Sequence, residues 1–110
     1  MQPDQAVRSL SALAQEHRLA AFRLLVQAGS EGIPAGMLAE KLGLPASSMS
    51  FHLSQLANAG LVSQRRESRS IIYTADYAAM DALMDYLTEN CCGGDPCAAV
   101  PSPAARREPA

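Results

Sequence analysis

Residues 45–74 read PASSMSFHLSQLANAGLVSQRRESRSIIYT, and this stretch decides the fold. Its apolar residues Met49, Leu53 and Leu56 recur at spacings of four and three, which is typical of one buried face of a helix. Pro45 suits the first turn of that helix, and the glycine that follows the last apolar residue suits its end. Two β-prone segments then flank a polar and basic tip, which predicts a β-hairpin.

A second short helix precedes this one in the chain. Pro34 opens it, and it ends at Gly43, where a glycine in the left-handed conformation would cap the helix. Only two or three residues separate the two helices. Two short helices joined by a tight turn that contains glycine form a helix-turn-helix.

Further helices are predicted on both sides of this motif. Residues 5–28 carry apolar side chains every three or four positions, with a break near Glu16 and His17, and therefore form two amphipathic helices. A last helix covers about residues 76–90. Its apolar face consists of Met80, Leu83, Met84 and Leu87. The fold class is thus mainly α with a small β-hairpin, a winged helix-turn-helix with an extra dimerisation helix at each end.

The length of 110 residues fits one domain. We expect residues 1–92 to form the DNA-binding and dimerisation domain, and residues 93–110 to form a Pro/Ala-rich tail that is disordered beyond Cys97. A folded part of this size has a marginal core, so a homodimer is expected. There is neither an apolar run of membrane-spanning length nor an export signal, so we expect a cytoplasmic protein with no membrane partner.

The exposed face of the helix after Pro45 offers short hydroxyls, an amide and one aromatic ring. Such groups can approach base edges and phosphates, pair with adenine or touch a thymine methyl group. Residues 34–74 carry a net charge of +2, whereas residues 76–90 carry −4. We therefore expect double-stranded operator DNA as a partner, although a merely solvated face and hairpin tip remain the alternative. The expected contacts are Ser47, Ser48, Ser50, Phe51, Ser54, Gln55, Arg65, Arg66 and Arg69.

Two short motifs carry a resemblance to a known family. Ser50, His52 and Leu53 form a Ser-x-His-Leu core, and residues 59–62 read Ala-Gly-Leu-Val. With the helix order over residues 5–90, they resemble the ArsR/SmtB family of small winged-helix repressors. The resemblance implies a dimer that represses by binding an operator and is released when an inducer binds.

All three cysteines, Cys91, Cys92 and Cys97, lie in the segment CCGGDPC. Three thiolates without a fourth good ligand suit a soft three-coordinate ion, and trivalent arsenic or antimony matches best, because zinc prefers a closed tetrahedron. One type within the ArsR/SmtB family carries a Cys-Cys pair and one more Cys at the end of the last helix, and these residues are similar to that pattern. The resemblance implies an As(III)- or Sb(III)-responsive repressor without an organic cofactor.

Other interpretations of this chain remain open. The cysteines could form a thiol redox switch, could bind Cd, Pb or Zn with help from Asp95, or could have no function. A metalloid-buffering protein whose winged helix binds another protein is a further possibility. Enzyme activity is not expected, because there is no nucleophile motif and no phosphate-binding glycine loop. We expect His52 to be a packed helix residue rather than a metal ligand.

Overall fold

The computed structural model describes residues 1–94, which form five α-helices and a three-stranded antiparallel sheet. The helices are α1 (Pro3–Leu13), α2 (Glu16–Ala28), α3 (Ala35–Leu42), α4 (Ala46–Asn58) and α5 (Tyr77–Thr88). The strands are β1 (Ile33–Pro34), β2 (Val62–Glu67) and β3 (Ser70–Ala75). This order confirms the winged helix-turn-helix with an additional helix at each end.

The break between the first two helices lies at Ala14 and Gln15, slightly earlier than the sequence predicts. The side chain of Gln15 caps α2 by accepting a hydrogen bond of 2.9 Å from the backbone N–H of Arg18. Glu16 is already helical, since an acidic residue is favourable in the first turn. The two helices therefore meet in a sharp corner held by a polar cap.

The turn between α3 and α4 matches the prediction. Gly43 lies in the left-handed region at φ 66° and ψ 34°, where glycine is favoured. The backbone N–H of Leu44 donates to the carbonyl of Ala39 at 2.9 Å, which closes the end of α3. Pro34 and Pro45 each lie one position before α3 and α4 begin, instead of within the first helical turn, and neither side chain makes a capping hydrogen bond.

The sheet has the strand order β1-β3-β2, and the hairpin β2–β3 is confirmed. Strand β1 was not predicted, because two residues are too short to show an alternating pattern. Gly32, just before β1, has φ 72°, and a Cβ atom there would lie 2.4 Å from the carbonyl oxygen of Tyr73. Only glycine fits at this close approach of two backbones.

The hairpin formed by β2 and β3 is the wing of the fold. The core lies where α2, α3 and α4 pack against each other and against the start of this wing. Its largest fully buried side chains are Leu25, Leu38, Met49, Leu53, Leu56 and Leu61. The predicted apolar face of α4 is therefore confirmed as core. Helix α1, in contrast, buries only the small residues Ala6, Ser9 and Ala12, and its Val7 side chain is 63% exposed.

Helix α5 also leaves part of its apolar face open. Leu83 is buried, whereas Met84 and Leu87 are 58% and 57% exposed. The hydroxyl of Tyr77 donates to the carbonyl of Val26 at 2.7 Å, which fastens the start of α5 to the end of α2.

Within residues 1–94, no helix is both long and apolar enough to cross a bilayer. The predicted disorder of the tail beyond Cys97 lies outside the described residues.

Candidate nucleic-acid interface and cysteine site

The outer face of α4 presents most of the predicted DNA contacts together. Ser47, Ser50, Phe51 and Ser54 are exposed on it, while Ser48 and Gln55 are half-buried at its margins. The opposite face of the helix is buried against the core. Because α4 is the second helix of the helix-turn-helix, this outer face is the one that can enter a major groove.

Helix α4 contains no Lys, Arg, Asp or Glu. Its approach to DNA therefore depends on hydrogen bonding and apolar contact, and cations for the phosphates must come from other elements. The wing supplies three exposed arginines at positions 65, 66 and 69.

The three wing arginines are not equivalent. The Nε of Arg65 pairs with Glu67 at 2.6 Å, and its two Nη atoms donate to the carbonyls of Ser30 and Glu31 at 3.2 and 2.9 Å. This guanidinium ties the wing to the turn before β1. Arg66 projects from the opposite face of β2, since side chains alternate along a strand.

A polar network joins α4 to the corner between α1 and α2. Nε of Arg18 donates to the carbonyl of Ala12 at 2.7 Å, and one Nη lies 3.3 Å from Nδ1 of His52. The rings of His17 and His52 lie 5.7 Å apart between centroids. Burial, and to a smaller extent the charges of Arg18 and His17, lower the pKa of His52 below its ordinary value of 6.5.

The contact with Arg18 also defines the protonation of His52. A guanidinium can only donate, so Nδ1 of the imidazole must accept, which requires the neutral ring with its proton on Nε2. His52 is thus a packed and hydrogen-bonded residue of the recognition helix. The role of Arg18 was missed in the sequence, because nothing in the spacing of positions 18 and 52 indicates that they meet.

The vicinal cysteines follow the end of α5 after two residues, Glu89 and Asn90. Cys91 and Cys92 are exposed, and they lie in a short turn, Cys91–Gly94, rather than in a continuation of the helix. Asn90, Cys92 and Gly93 all have positive φ angles, of 56°, 59° and 70°. The chain therefore turns sharply where the pair is placed.

Among residues 1–94, no three His, Cys, Asp or Glu side chains form a metal-binding group. Cys97, the predicted third sulfur ligand, lies outside the described residues. The described part of the chain supplies the two adjacent cysteines and their position at the end of α5.

Comparison with known proteins agrees with this architecture. A helix-turn-helix domain model matches residues 13–65. The HTH-type transcriptional regulator YgaV of Escherichia coli K12 is 33% identical over 89 residues, which cover 81% of this chain and 88% of YgaV. An ArsR-like transcriptional regulator from Rhodococcus sp. RHA1 superposes with a TM-score of 0.72 at 25% identity, covering 87% of this chain and 88% of that protein. The chain belongs to the ArsR family of winged helix-turn-helix transcriptional regulators.

A third similarity concerns assembly. The homodimeric winged helix-turn-helix domain of Mb0332 from Mycobacterium bovis, described as a possible ArsR-family regulator, has a TM-score of 0.63 at 29% identity. The similarity covers 84% of this chain and 86% of that domain. As an ArsR-family member, the chain acts by binding DNA and is not an enzyme, which confirms the expectation from its sequence.

Proposed function

We propose that this ArsR-family regulator is a homodimeric repressor that leaves its operator when trivalent arsenic or antimony binds Cys91, Cys92 and Cys97. The observation that carries the proposal is the placement of two adjacent, exposed cysteines in a sharp turn two residues after α5. A ligand captured there acts on the end of a helix whose apolar face is only partly covered.

The chemistry of the donor set supports a metalloid. Arsenous acid, As(OH)₃, and three thiols exchange three As–O and three S–H bonds for three As–S bonds and three water molecules. The product is a neutral pyramid with its lone pair at the fourth apex, so three soft sulfur donors complete the site. The proposed cytoplasmic setting keeps these thiols reduced and able to react.

The local backbone supports chelation by a short segment. Cys92 lies at φ 59°, in a left-handed conformation that costs a residue other than glycine about 1 kcal/mol. Strain of this kind is concentrated at functional sites. Gly93 continues the turn at φ 70°, and only four residues separate Cys92 from Cys97 in the sequence.

A second copy of the chain accounts for the open apolar surface. Val7 of α1 and Met84 and Leu87 of α5 are each more than half exposed, and a groove of about 630 Å³ runs between α2 and α5. Its apolar lining consists of Leu13, Leu19, Phe22, Val26, Leu61, Met80, Leu83 and Met84. Covering this surface by dimerisation adds the burial that a small core lacks, and the similar Mb0332 domain is homodimeric.

The dimer sets the distance between two recognition helices, which must be about 34–36 Å to reach successive major grooves. Metalloid binding reorganises the end of α5 and favours a dimer with a poorer spacing. Tyr77 fastens the same helix to the carbonyl of Val26 in α2, which gives a physical connection from α5 to the core. A coupling free energy of about 1–3 kcal/mol would weaken DNA binding roughly 5- to 150-fold.

The test begins with DNA that the purified full chain selects from a random duplex pool. Fluorescence anisotropy of the labelled selected site is then followed while arsenite, antimonite, cadmium or zinc is added under a phosphine reductant, which does not chelate arsenic as a dithiol does. We expect arsenite and antimonite to release the DNA at the lowest concentrations. Release by zinc or cadmium at lower concentrations than arsenite would contradict the proposed ligand.

A thiol redox switch is the second candidate, and one observation favours it: Cys92 is disulfide-bonded in the structure. In this case diamide would release the DNA in the absence of reductant, the Cys92→Ser variant would resist diamide, and arsenite under reductant would have no effect. The same anisotropy measurement therefore separates the two candidates.

A further inference from the structure

Phe51 is an exposed aromatic side chain that the proposed dimer surface does not explain. Among the exposed apolar residues, Leu19 of α2 and Met84 of α5 line the groove assigned to a second copy. Phe51 lies elsewhere, midway along α4, and is 57% exposed. Its neighbours on the outer face of this helix, Ser47 and Ser54, are short and polar, so the ring is the bulkiest group on this face of α4.

The ring of Phe51 is also held in place from one side. Its centroid lies 5.8 Å from that of His52 with an interplanar angle of 62°, which is an edge-to-face contact. His52 is fixed in turn by Arg18, and Arg18 is anchored to the carbonyl of Ala12. A preorganised ring loses little conformational entropy when it binds. Low entropy loss and a fixed position suit a contact that distinguishes one base from another.

We propose that Phe51 is a specificity-determining residue whose ring contacts the 5-methyl group of a thymine in the major groove. On the base edges of this groove, the thymine methyl is the only apolar substituent, while the other groups are hydrogen-bond donors and acceptors. The recognition helix α4 carries no charged residues, and the apolar ring of Phe51 is suited to contact this methyl group. The inference rests on the proposed DNA-binding function and extends it to the base that is read.

Removing the thymine methyl should cost the free energy of burying one methyl group. Affinity should therefore fall about fourfold for each half-site and about fifteenfold for a symmetric dimer site. The probe is the selected DNA with each thymine replaced in turn by 2′-deoxyuridine, symmetrically in both half-sites. This exchange removes only the methyl group and retains base pairing.

We expect the wild-type chain to lose affinity at one thymine per half-site. The Phe51→Ala variant should bind thymine DNA more weakly and be indifferent to deoxyuridine at that position, whereas Phe51→Leu should keep part of the discrimination. Met37→Ala, which removes an exposed apolar side chain from α3, is the matched control and should discriminate like the wild type. Thermal unfolding by circular dichroism verifies that each variant is folded.

Two results would overturn the inference while leaving the regulator intact. The wild type could bind every deoxyuridine site as tightly as the thymine site, as it would if the ring wedged between base pairs. Alternatively, Phe51→Ala could discriminate between thymine and deoxyuridine as strongly as the wild type. Another residue would then contact the methyl group. If the chain enriches no DNA sequence at all, the proposed DNA-binding function fails as well.

Discussion

His52 connects the recognition helix to the corner between α1 and α2 through its contact with Arg18. The neutral ring is the form that accepts this hydrogen bond, and burial lowers the pKa of His52 in the folded chain. The unfolded chain therefore binds a proton more readily than the folded one. It follows that this residue leaves stability unaffected above pH 6.5 and reduces it as the pH falls from 6.5 through the lowered pKa.

We expect His52→Gln to flatten the loss of stability between pH 7 and pH 5. Glutamine keeps an acceptor for Arg18 but does not titrate. Urea unfolding midpoints measured across this range compare the two chains. An equally steep loss of stability in the variant would show that other groups cause the acid sensitivity.

The wing arginines differ in what their guanidinium groups contact, and their substitutions should differ accordingly. Arg66→Ala should reduce the log–log slope of DNA affinity against salt by about 0.9 per subunit, since one phosphate contact is lost. Arg65→Ala should lower affinity with little change in slope, because its guanidinium is held by Glu67 and by backbone carbonyls. Anisotropy titrations between about 50 and 200 mM salt distinguish the two variants. Over this range, phosphate contacts change DNA affinity by orders of magnitude. Equal slope changes would place Arg65 at the DNA too.

For single residues, the sequence predicts well which side chains are exposed, but it predicts poorly which residues they hydrogen-bond. The outer face of α4 follows from the helical spacing of its buried residues, and Phe51 is recognisable because it interrupts a polar face. The contacts of Arg18 and Arg65 join residues more than 30 positions apart. Local patterns carry no information about pairs that only the folded chain brings together.

Among the elements, the short strand β1 depends on a single glycine. Gly32→Ala would place a Cβ atom 2.4 Å from a backbone oxygen of β3 and force a left-handed conformation on alanine. We expect a loss of stability on the order of 2–4 kcal/mol. Chemical denaturation measures it directly.

Gly36 provides the matched control for this substitution. It lies in α3 with open space around its Cα, so Gly36→Ala should stabilise the chain by up to about 1 kcal/mol through helix propensity. If both substitutions changed the free energy of unfolding by a similar amount, the backbones of β1 and β3 would have to lie farther apart at Gly32.

Helices and strands could be predicted where their sequence pattern extends over more than one helical turn or several strand residues. The five helices, the hairpin and the cap at Gly43 follow from apolar spacing, proline and glycine. The start of α2 at Glu16 could not be placed exactly, because it depends on the side chain of Gln15, a residue that is uncommon as a cap. Strand β1 exists only through its pairing with β3.

On the scale of the whole molecule, the exposed apolar stripe of α5 is where we propose that a second copy binds. Met84 and Leu87 belong to the apolar stripe, whereas Ala78 lies on a second exposed stripe of the same helix. Met84→Glu should shift the chain from dimer to monomer and weaken DNA binding, because a charge would be buried in the interface. Ala78→Glu adds the same charge and should remain dimeric.

Sedimentation equilibrium of the two variants tests this assignment of the interface. A dimeric Met84→Glu variant would move the interface away from this stripe. A monomeric Ala78→Glu variant would show that both stripes are covered.

The cysteine cluster could be recognised from the sequence alone, since three thiols in seven residues form a distinctive group. The structure adds that the first two follow α5 in a left-handed turn. How a ligand there changes the dimer depends on two subunits together, which no pattern within one chain encodes.

The most direct measurement is the release of preformed protein–DNA complex by arsenite, under reductant, for the wild type and for a variant with Ser at positions 91, 92 and 97. We expect both chains to bind the DNA equally well before arsenite is added. The anisotropy of the wild-type complex should then fall toward that of free DNA, while the complex of the variant stays intact. Release of the variant at the same arsenite concentration would contradict the assignment of the three thiols as the sensor.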